Sequence, residues 1–149
     1  MTVQSTYSST MNAAVAGQIA NLIDATLISR TVEDSAGIGF GIAAAQGTED
    51  NECTAFGSGD TAILGITCRE RSVDPNTPNK FAQYEAARLI TKGPVWVMAS
   101  VAVNAGDPVY VIPATGAFAK TSASSAVQIA GARWDTSTTG EALAIVRLG

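Results

Sequence analysis

The sequence predicts a mostly β fold: a single small β-barrel or a jelly-roll-like β-sandwich, with an extended N-terminal arm. Short runs of β-branched and aromatic residues recur after residue 37, and Gly, Pro, Asn and Asp residues separate them. The runs 95–103 and 108–112 are apolar on both faces, whereas a strand with one face in water alternates apolar and polar residues. Helical segments do not alternate with these runs, so a barrel or sandwich is favoured over βαβ units.

The length and composition suit one domain of this kind. A chain of 149 residues buries a core without help from metals or disulfides. The hydrophobic content is 46%, and much of it is alanine, so the excess consists of small side chains. The predicted organisation is a flexible arm at residues 1–12 and a single β domain at residues 13–149.

The arm is polar and rich in Ser and Thr, and its only large apolar residues are Val3, Tyr7 and Met11. Ordering a residue costs roughly 1–2 kcal/mol of backbone entropy. Three buried side chains return about 10 kcal/mol at ~25 cal/mol per Å². We therefore expect the arm to become ordered only on a partner, with these three side chains as partner contacts.

The elements follow in order. Residues 13–29 carry apolar side chains at helical spacing, but Gly17 and the lack of strong caps leave an extended segment as the alternative. The segment Lys92-Gly93-Pro94 reads as a turn, and residues 72–83 as an exposed loop. The predicted strands after residue 30 are 38–44, 53–56, 63–69, 86–90, 95–103, 108–112, 117–120, 127–134 and 142–148.

The run 95–103 also predicts association. Val95 and Val97 lie on one face of this strand, and Trp96 and Met98 on the other. Both faces must then be covered, either within a two-layer fold or by another subunit. Trp96 and Trp134 are core anchors by default and partner-contact candidates in the alternative. We expect a homo-oligomer.

The residues that most enzymes need are missing. The chain has no histidine, which removes Ser-His-Asp and Cys-His systems. Asp60-Thr61 and Asp135-Thr136 lack the glycine that an aspartic protease has after its Asp-Thr pair. The acidic run 49–52 reads as a solvated turn, and the glycines at 37–41 open no helix. We predict no catalytic residue, no cofactor and no enzymatic activity.

Cys53 and Cys68 read as small buried hydrophobes. Two cysteines without a histidine do not make a zinc site, and no export signal points to a disulfide-forming compartment. No window approaches 18 uninterrupted apolar residues, so we expect no membrane span. The net charge of −4, with three lysines, argues against binding a nucleic acid backbone.

The order of short motifs along the chain resembles one family. These motifs are Ala-Val-Ala-Gly-Gln-Ile-Ala in the 13–20 region, Ile-Ser-Arg (28–30), Ile-Gly-Phe-Gly-Ile-Ala (38–43), Ile-Leu-Gly-Ile-Thr-Cys-Arg-Glu (63–70), Gly-Pro-Val-Trp-Val (93–97), Val-Asn-Ala-Gly-Asp-Pro-Val-Tyr-Val (103–111), Gly-Ala-Phe (116–118) and Leu-Ala-Ile-Val-Arg-Leu (143–148). In order, spacing and overall size they resemble the structural cement, or head decoration, proteins of tailed bacteriophages.

The resemblance implies a function without chemistry. Such proteins sit as small oligomers on the outer surface of the capsid and clamp neighbouring major capsid subunits. The implied partners are the major capsid protein and further copies of this chain, with a trimer preferred and a dimer as the alternative. The implied location is the virion, after synthesis in the host cytoplasm. The alternatives are another virion β module, such as a tail or fibre component, and a small ligand-binding or enzymatic β-barrel.

Overall fold

Strands make up nearly all the regular structure of the protein. The computed structural model describes residues 14–149, so the arm with Val3, Tyr7 and Met11 lies outside the described residues. Within that range the only helical element is a single 3₁₀ turn, Ala123–Ser125. The strands are β1 (Thr26–Val32), β2 (Ile38–Gly39), β3 (Ala43–Gln46), β4 (Glu52–Ala55), β5 (Gly65–Thr67), β6 (Lys80–Phe81), β7 (Ala86–Ala99), β8 (Pro108–Ile112), β9 (Ala117–Ala119), β10 (Val127–Trp134) and β11 (Ala142–Leu148). The predicted mostly β fold is confirmed.

Five strands close into a barrel, in the order β7-β11-β10-β8-β9. Its longest pairing joins β7 and β11, which run antiparallel from Ala99 opposite Ala142 to Gly93 opposite Leu148. A parallel bridge between Ala99 and Phe118 closes the ring from β7 to β9. We call this ring the C-terminal barrel. Of the two architectures that the sequence left open, the barrel is the one observed.

The other strands form a second ring that shares β7. Its order is β1-β4-β3-β5-β7, and the ring closes because the N-terminal half of β7 also pairs antiparallel with β1. The ring contains one parallel pairing, of β1 with β4, in which Val32 lies opposite Cys53. We call it the N-terminal ring. The small β2–β6 sheet lies outside both rings and pairs Ile38 with Phe81.

Strand β7 belongs to both rings because it continues, without ending, across residues 92–94, where the sequence predicted a turn. That prediction is wrong. Gly93 has φ of +108°, and a Cβ there would lie 2.9 Å from Cα of Ala25. A glycine in this conformation lets a barrel strand bend at a close backbone approach without ending, and Pro94 is tolerated at such an irregular position.

Residues 14–25 are not helical: they form turns around one isolated bridge, and the extended alternative holds only from Thr26 onward. Ile19 forms an antiparallel bridge with Val95, and β1 then begins at Thr26. No helix among residues 14–149 is both long and apolar enough to cross a membrane.

Other boundaries differ less. The predicted strands 108–112, 127–134 and 142–148 match β8, β10 and β11. The predicted strand 38–44 is split into β2 and β3, and the strand predicted at 95–103 ends at Ala99, with Val103 in an isolated bridge to Thr138. Strands β1 and β6 were not predicted.

Candidate functional site

The two faces of β7 in the C-terminal barrel have opposite surroundings. Val95, Val97 and Ala99 are completely buried inside the barrel. Trp96 and Met98 point outward; Trp96 is half-buried and Met98 is 45% exposed. Of the two ways in which the sequence allowed this strand to be covered, packing within the protomer accounts for one face only.

The outward residues of β7 lie next to outward residues of β11. Trp96 is opposite Ile145, and Met98 is opposite Leu143. Directly opposed side chains on an antiparallel pair touch, so the four form one continuous surface. We call these four residues the outer apolar face. Ile145 and Leu143 were not recognised as candidates from sequence; their period-two placement in the run 142–148 was the available signal.

The backbone under this face is held on both sides. The N–H of Trp96 donates to the carbonyl of Gln18 at 2.9 Å, and its carbonyl accepts from the N–H of Gly17 at 2.8 Å. On the other side β11 pairs with β7 over seven residues. The apolar side chains therefore stand on a fixed backbone, which lowers the entropic cost of binding a partner.

A small ionic cluster borders the face. The Arg147 Nε donates to Asp135 Oδ2 at 2.6 Å, and the Arg133 Nε donates to Asp135 Oδ1 at 3.3 Å. Two guanidinium groups share one carboxylate, so the cluster carries a net positive charge. The surface thus combines an apolar centre with a charged rim, which is the usual anatomy of a protein interface.

Trp134 lies elsewhere. Its side chain is completely buried in the core, and its indole Nε1 has no hydrogen-bond partner among the described residues. The default interpretation from sequence, a core anchor, describes its position. The two tryptophan candidates are therefore not brought together, and the remaining candidates, Val3, Tyr7 and Met11, lie outside the described residues.

The polar residues considered for chemistry have local structural roles. Asp60 accepts a hydrogen bond from the N–H of Gly57 at 2.9 Å within a turn, and Asp135 is held by its two arginines. In the acidic run the N–H of Glu52 donates to the carbonyl of Glu49, which makes this run a hydrogen-bonded turn. Among residues 14–149 no group of His, Cys, Asp or Glu is placed to hold a metal ion.

Both cysteines are free and buried. Burial raises the pKa of the Cys53 thiol to about 11, and the nearby Asp34 carboxylate acts in the same direction. Burial also raises the pKa of the Cys68 thiol to about 11. Since the thiolate is the reactive form, neither thiol is set up as a nucleophile or metal ligand.

One exposed feature was missed at the sequence level. Leu22 and Ile23 are 73% and 85% exposed, at the tip of the loop before β1. The helical interpretation of residues 13–29 placed them on a buried face. The turn-forming residues Asn21 and Asp24, which flank the pair, were the signal for a loop.

Comparisons with known proteins point to one family. A family model described as Structural cement protein (E217 gp24/Pam3 gp6) matches residues 3–149. A chain in the solved capsid of Myoviridae phage XM1 is similar with a TM-score of 0.78 and 18% identity, over 100% of this chain and 98% of that chain. A chain in the crystal structure of the head fiber gp8.5 N base of bacteriophage phi29 aligns with a TM-score of 0.45 and 10% identity, over 84% of this chain and 94% of that chain, a similarity too low to carry an argument. No curated protein matches the chain.

The XM1 similarity supports the fold, and the family model supports the assignment, because it extends over almost the whole sequence. The resemblance found in the sequence motifs is thereby confirmed: the chain belongs to the phage structural cement protein family.

Proposed function

We propose that this cement protein binds the outer surface of a phage capsid as a homo-oligomer, with its outer apolar face on the major capsid subunits. The preferred oligomer is a trimer, and a dimer is the alternative. The protein is made in the host cytoplasm and joins neighbouring shell subunits after binding. The observation that carries the proposal is the outer apolar face, in which Met98 is 45% exposed and Trp96, Leu143 and Ile145 are partly exposed.

The size of this face favours many weak contacts over one strong one. Met98 is 45% exposed, so full burial of its side chain on a partner gives about 1 kcal/mol. An oligomer repeats that contact in every protomer, and linked contacts multiply into a much higher apparent affinity. This arrangement suits a protein that joins several shell subunits at once.

The net charge is consistent with an outer position. At −4 the chain lacks the basic surface that contact with packaged nucleic acid requires. The positive cluster around Asp135 is confined to the border of the outer apolar face. We infer that the protein has no catalytic activity and no cofactor, and that it binds neither nucleic acid nor membrane.

The proposal is tested with shells of the source phage that lack the protein. We expect purified wild-type protein to bind them and to raise the temperature at which they break. The variant Met98→Glu places a charge in the centre of the face, and we expect at least about tenfold weaker binding with an unchanged oligomeric state. The matched control is Tyr84→Asn, which removes a side chain that is 74% exposed and outside the face. Equal binding by Met98→Glu and wild type would reject this face as the contact.

The N-terminal arm is the second part of the proposal. Residues 1–12 add contact area on the shell or on a neighbouring protomer, through Val3, Tyr7 and Met11. Deleting residues 2–12 leaves the thermal midpoint of the isolated domain nearly unchanged and weakens attachment. A domain that fails to fold after the deletion would instead make the arm an integral strand.

A further inference from the structure

A loop projects from the edge of β7 at the point where the two rings meet. Ile19 lies opposite Val95, and Thr26 lies opposite Lys92, on the same edge of β7 and in the same antiparallel direction. Six residues therefore span a stretch that a regular strand crosses with two. The four extra residues are accommodated in the loop 21–25, which we call the junction loop. The fold does not need this loop to continue the strand.

The loop has a fixed shape. The N–H of Ile23 donates to Asn21 Oδ1 at 3.0 Å, and the N–H of Ala25 donates to the carbonyl of Leu22 at 3.3 Å. Its base rests on Gly93, where a Cβ would lie 2.9 Å from Cα of Ala25. A loop anchored in this way presents its tip in one orientation.

The tip of the loop is apolar. Leu22 and Ile23 are the two most exposed large aliphatic side chains among residues 14–149. Two adjacent exposed aliphatic residues on an anchored loop form a compact knob suited to a cavity of matching chemistry.

Such a cavity opens on the opposite edge of β7. It has a volume of about 290 Å³ and is lined by apolar side chains together with neutral polar groups and backbone. Its apolar lining consists of Ala62, Ile63, Leu64, Ile129, Ala130 and Leu148. We call it the junction groove, because Leu148 pairs with Gly93, the residue on which the junction loop rests.

The charge of the lining separates this groove from the others. No charged side chain lines it, so an aliphatic pair enters without desolvating a charged side chain. The larger cavity beside β1 is rimmed by Glu70, Glu85 and Arg88, where the same insertion would bury charges. The junction groove is therefore the better receptor for Leu22 and Ile23.

We propose that Leu22 and Ile23 of one copy insert into the junction groove of a second copy. The knob and the groove lie at the same level of β7 but on opposite edges, so one protomer cannot satisfy itself. The contact is head-to-tail, and a head-to-tail contact with a closing rotation produces a ring. The inference rests on the homo-oligomer of the proposed function and names its contact.

The first test is the oligomeric state of two variants by light scattering. Leu22→Ser/Ile23→Ser removes the knob, and Ala130→Arg fills the groove from an exposed position. We expect each variant to associate about 10–100-fold more weakly than wild type. For the knob variant, this is the loss expected when two aliphatic side chains are no longer buried on the partner. The matched control Val101→Ser, at an aliphatic residue 42% exposed outside both features, keeps the wild-type state. Thermal midpoints of all variants verify folding.

The second test is a mixture of the two variants. The knob variant keeps an intact groove, and the groove variant keeps an intact knob, so one productive contact remains between them. We expect a 1:1 heterodimer that does not grow further. A symmetric contact through a single shared surface would give no such complementation.

Three outcomes would overturn the inference: a knob variant with the wild-type oligomeric state, a mixture without heterodimer, or a wild-type protein that stays monomeric at all concentrations. A knob variant that keeps its oligomeric state but no longer binds shells would show that the junction loop contacts the capsid and not a second copy. Binding of wild-type protein to undecorated shells is measured separately, so failure of the ring contact and failure of the cement function are distinguishable.

Discussion

The two rings share β7 but fill their interiors in different ways. In the C-terminal barrel the strands themselves supply large side chains: Val95, Val97, Val109, Val111 and Trp134 are all completely buried. The apolar cluster of the N-terminal ring draws small wall residues from its strands, such as Ala44, Cys53 and Ala87. Of its larger members, Val32 and Leu89 belong to ring strands β1 and β7, whereas Ile38, Phe40 and Phe81 come from β2, the residue after it and β6, outside the ring.

The difference shows that the core of the N-terminal ring depends on the β2–β6 pair, which is not part of the ring. The Phe40 and Phe81 rings meet edge to face, with centroids 5.2 Å apart at 89°. The Arg69 guanidinium lies 5.3 Å from the centroid of Phe40, within cation–π range. The core of the C-terminal barrel forms as its own strands pair, whereas the core of the N-terminal ring is complete only when the β2–β6 pair docks.

The largest expected effect follows from removing a side chain of that pair. Phe81→Ala creates a cavity in the N-terminal ring and costs about 3–5 kcal/mol of unfolding free energy. Chemical denaturation measures the loss, and hydrogen exchange locates it: amides of β1, β3 and β4 lose protection while β8 and β10 keep theirs. The reference variant Phe118→Ala removes an equally buried ring from the C-terminal barrel, and there we expect the reverse pattern. Uniform loss of protection in both variants would show that the rings unfold as one unit.

The shared strand gives the next prediction. Gly93→Ala forces a Cβ into the backbone of the junction loop at a positive φ, and we expect a loss of about 1–3 kcal/mol. Unlike Phe81→Ala, this change acts at the junction and lowers protection in both rings. Gly106→Ala is the matched control, since Gly106 also has positive φ (+95°) but a Cβ there meets nothing within 4 Å. If the two variants lose equal stability, backbone strain alone accounts for the effect and the close approach at Gly93 contributes nothing.

The comparison also explains what the sequence predicts well. Strands β8, β10 and β11 belong to the C-terminal barrel. Their apolar runs end where turn-forming residues begin, and their limits are predicted correctly. In the N-terminal ring several buried wall residues of β3 and β4 are alanine and cysteine, whose apolar signal is weak. Strand β1 was not recognised because its first half fell in the segment 13–29, which also had helical spacing. Gly93-Pro94 has the composition of a turn, and only the contact with residue 25, which is distant in sequence, makes it a bend inside a strand.

The candidate site divides in the same way. The outward position of Trp96 and Met98 follows from period two alone, and the sequence named Trp96 as a candidate partner contact, with a core position as the default. The junction loop depends on the register of two separate segments against β7, a long-range property that no local pattern encodes.

A smaller effect is expected at the buried hydroxyl of the N-terminal ring. Thr67 Oγ1 donates to the carbonyl of Gly39 at 2.7 Å and accepts from the N–H of Ile42 at 2.9 Å. It thereby ties β5 to the segment between β2 and β3. Thr67→Val keeps the shape but leaves both backbone groups without this partner, at a cost of about 1–2 kcal/mol. Thr67→Ser, which keeps the hydroxyl, recovers part of the loss in the same denaturation experiment; equal stability of the Val variant and wild type would contradict this role.

The smallest effect near neutral pH is expected at the two thiols, and it tests whether the rings open separately. Burial raises the pKa of Cys53 and Cys68 from 9.0 to about 11, so the folded state binds these protons more tightly than the unfolded state. Stability is then insensitive to the thiols below pH 9 and falls between pH 9 and about 11, where the unfolded chain ionises first.

At pH 8 a thiol reagent reacts with either buried thiol only when the structure opens. Cys68 directly follows β5 of the N-terminal ring, but its side chain packs in the cluster that includes the C-terminal barrel, whereas the Cys53 side chain packs in the cluster of the N-terminal ring. We therefore expect Cys53 to react faster. Mass spectrometry of partially labelled protein measures both rates, with Cys53→Ala and Cys68→Ala assigning each signal. Equal rates that follow global unfolding would mean that the shared strand couples the two rings completely.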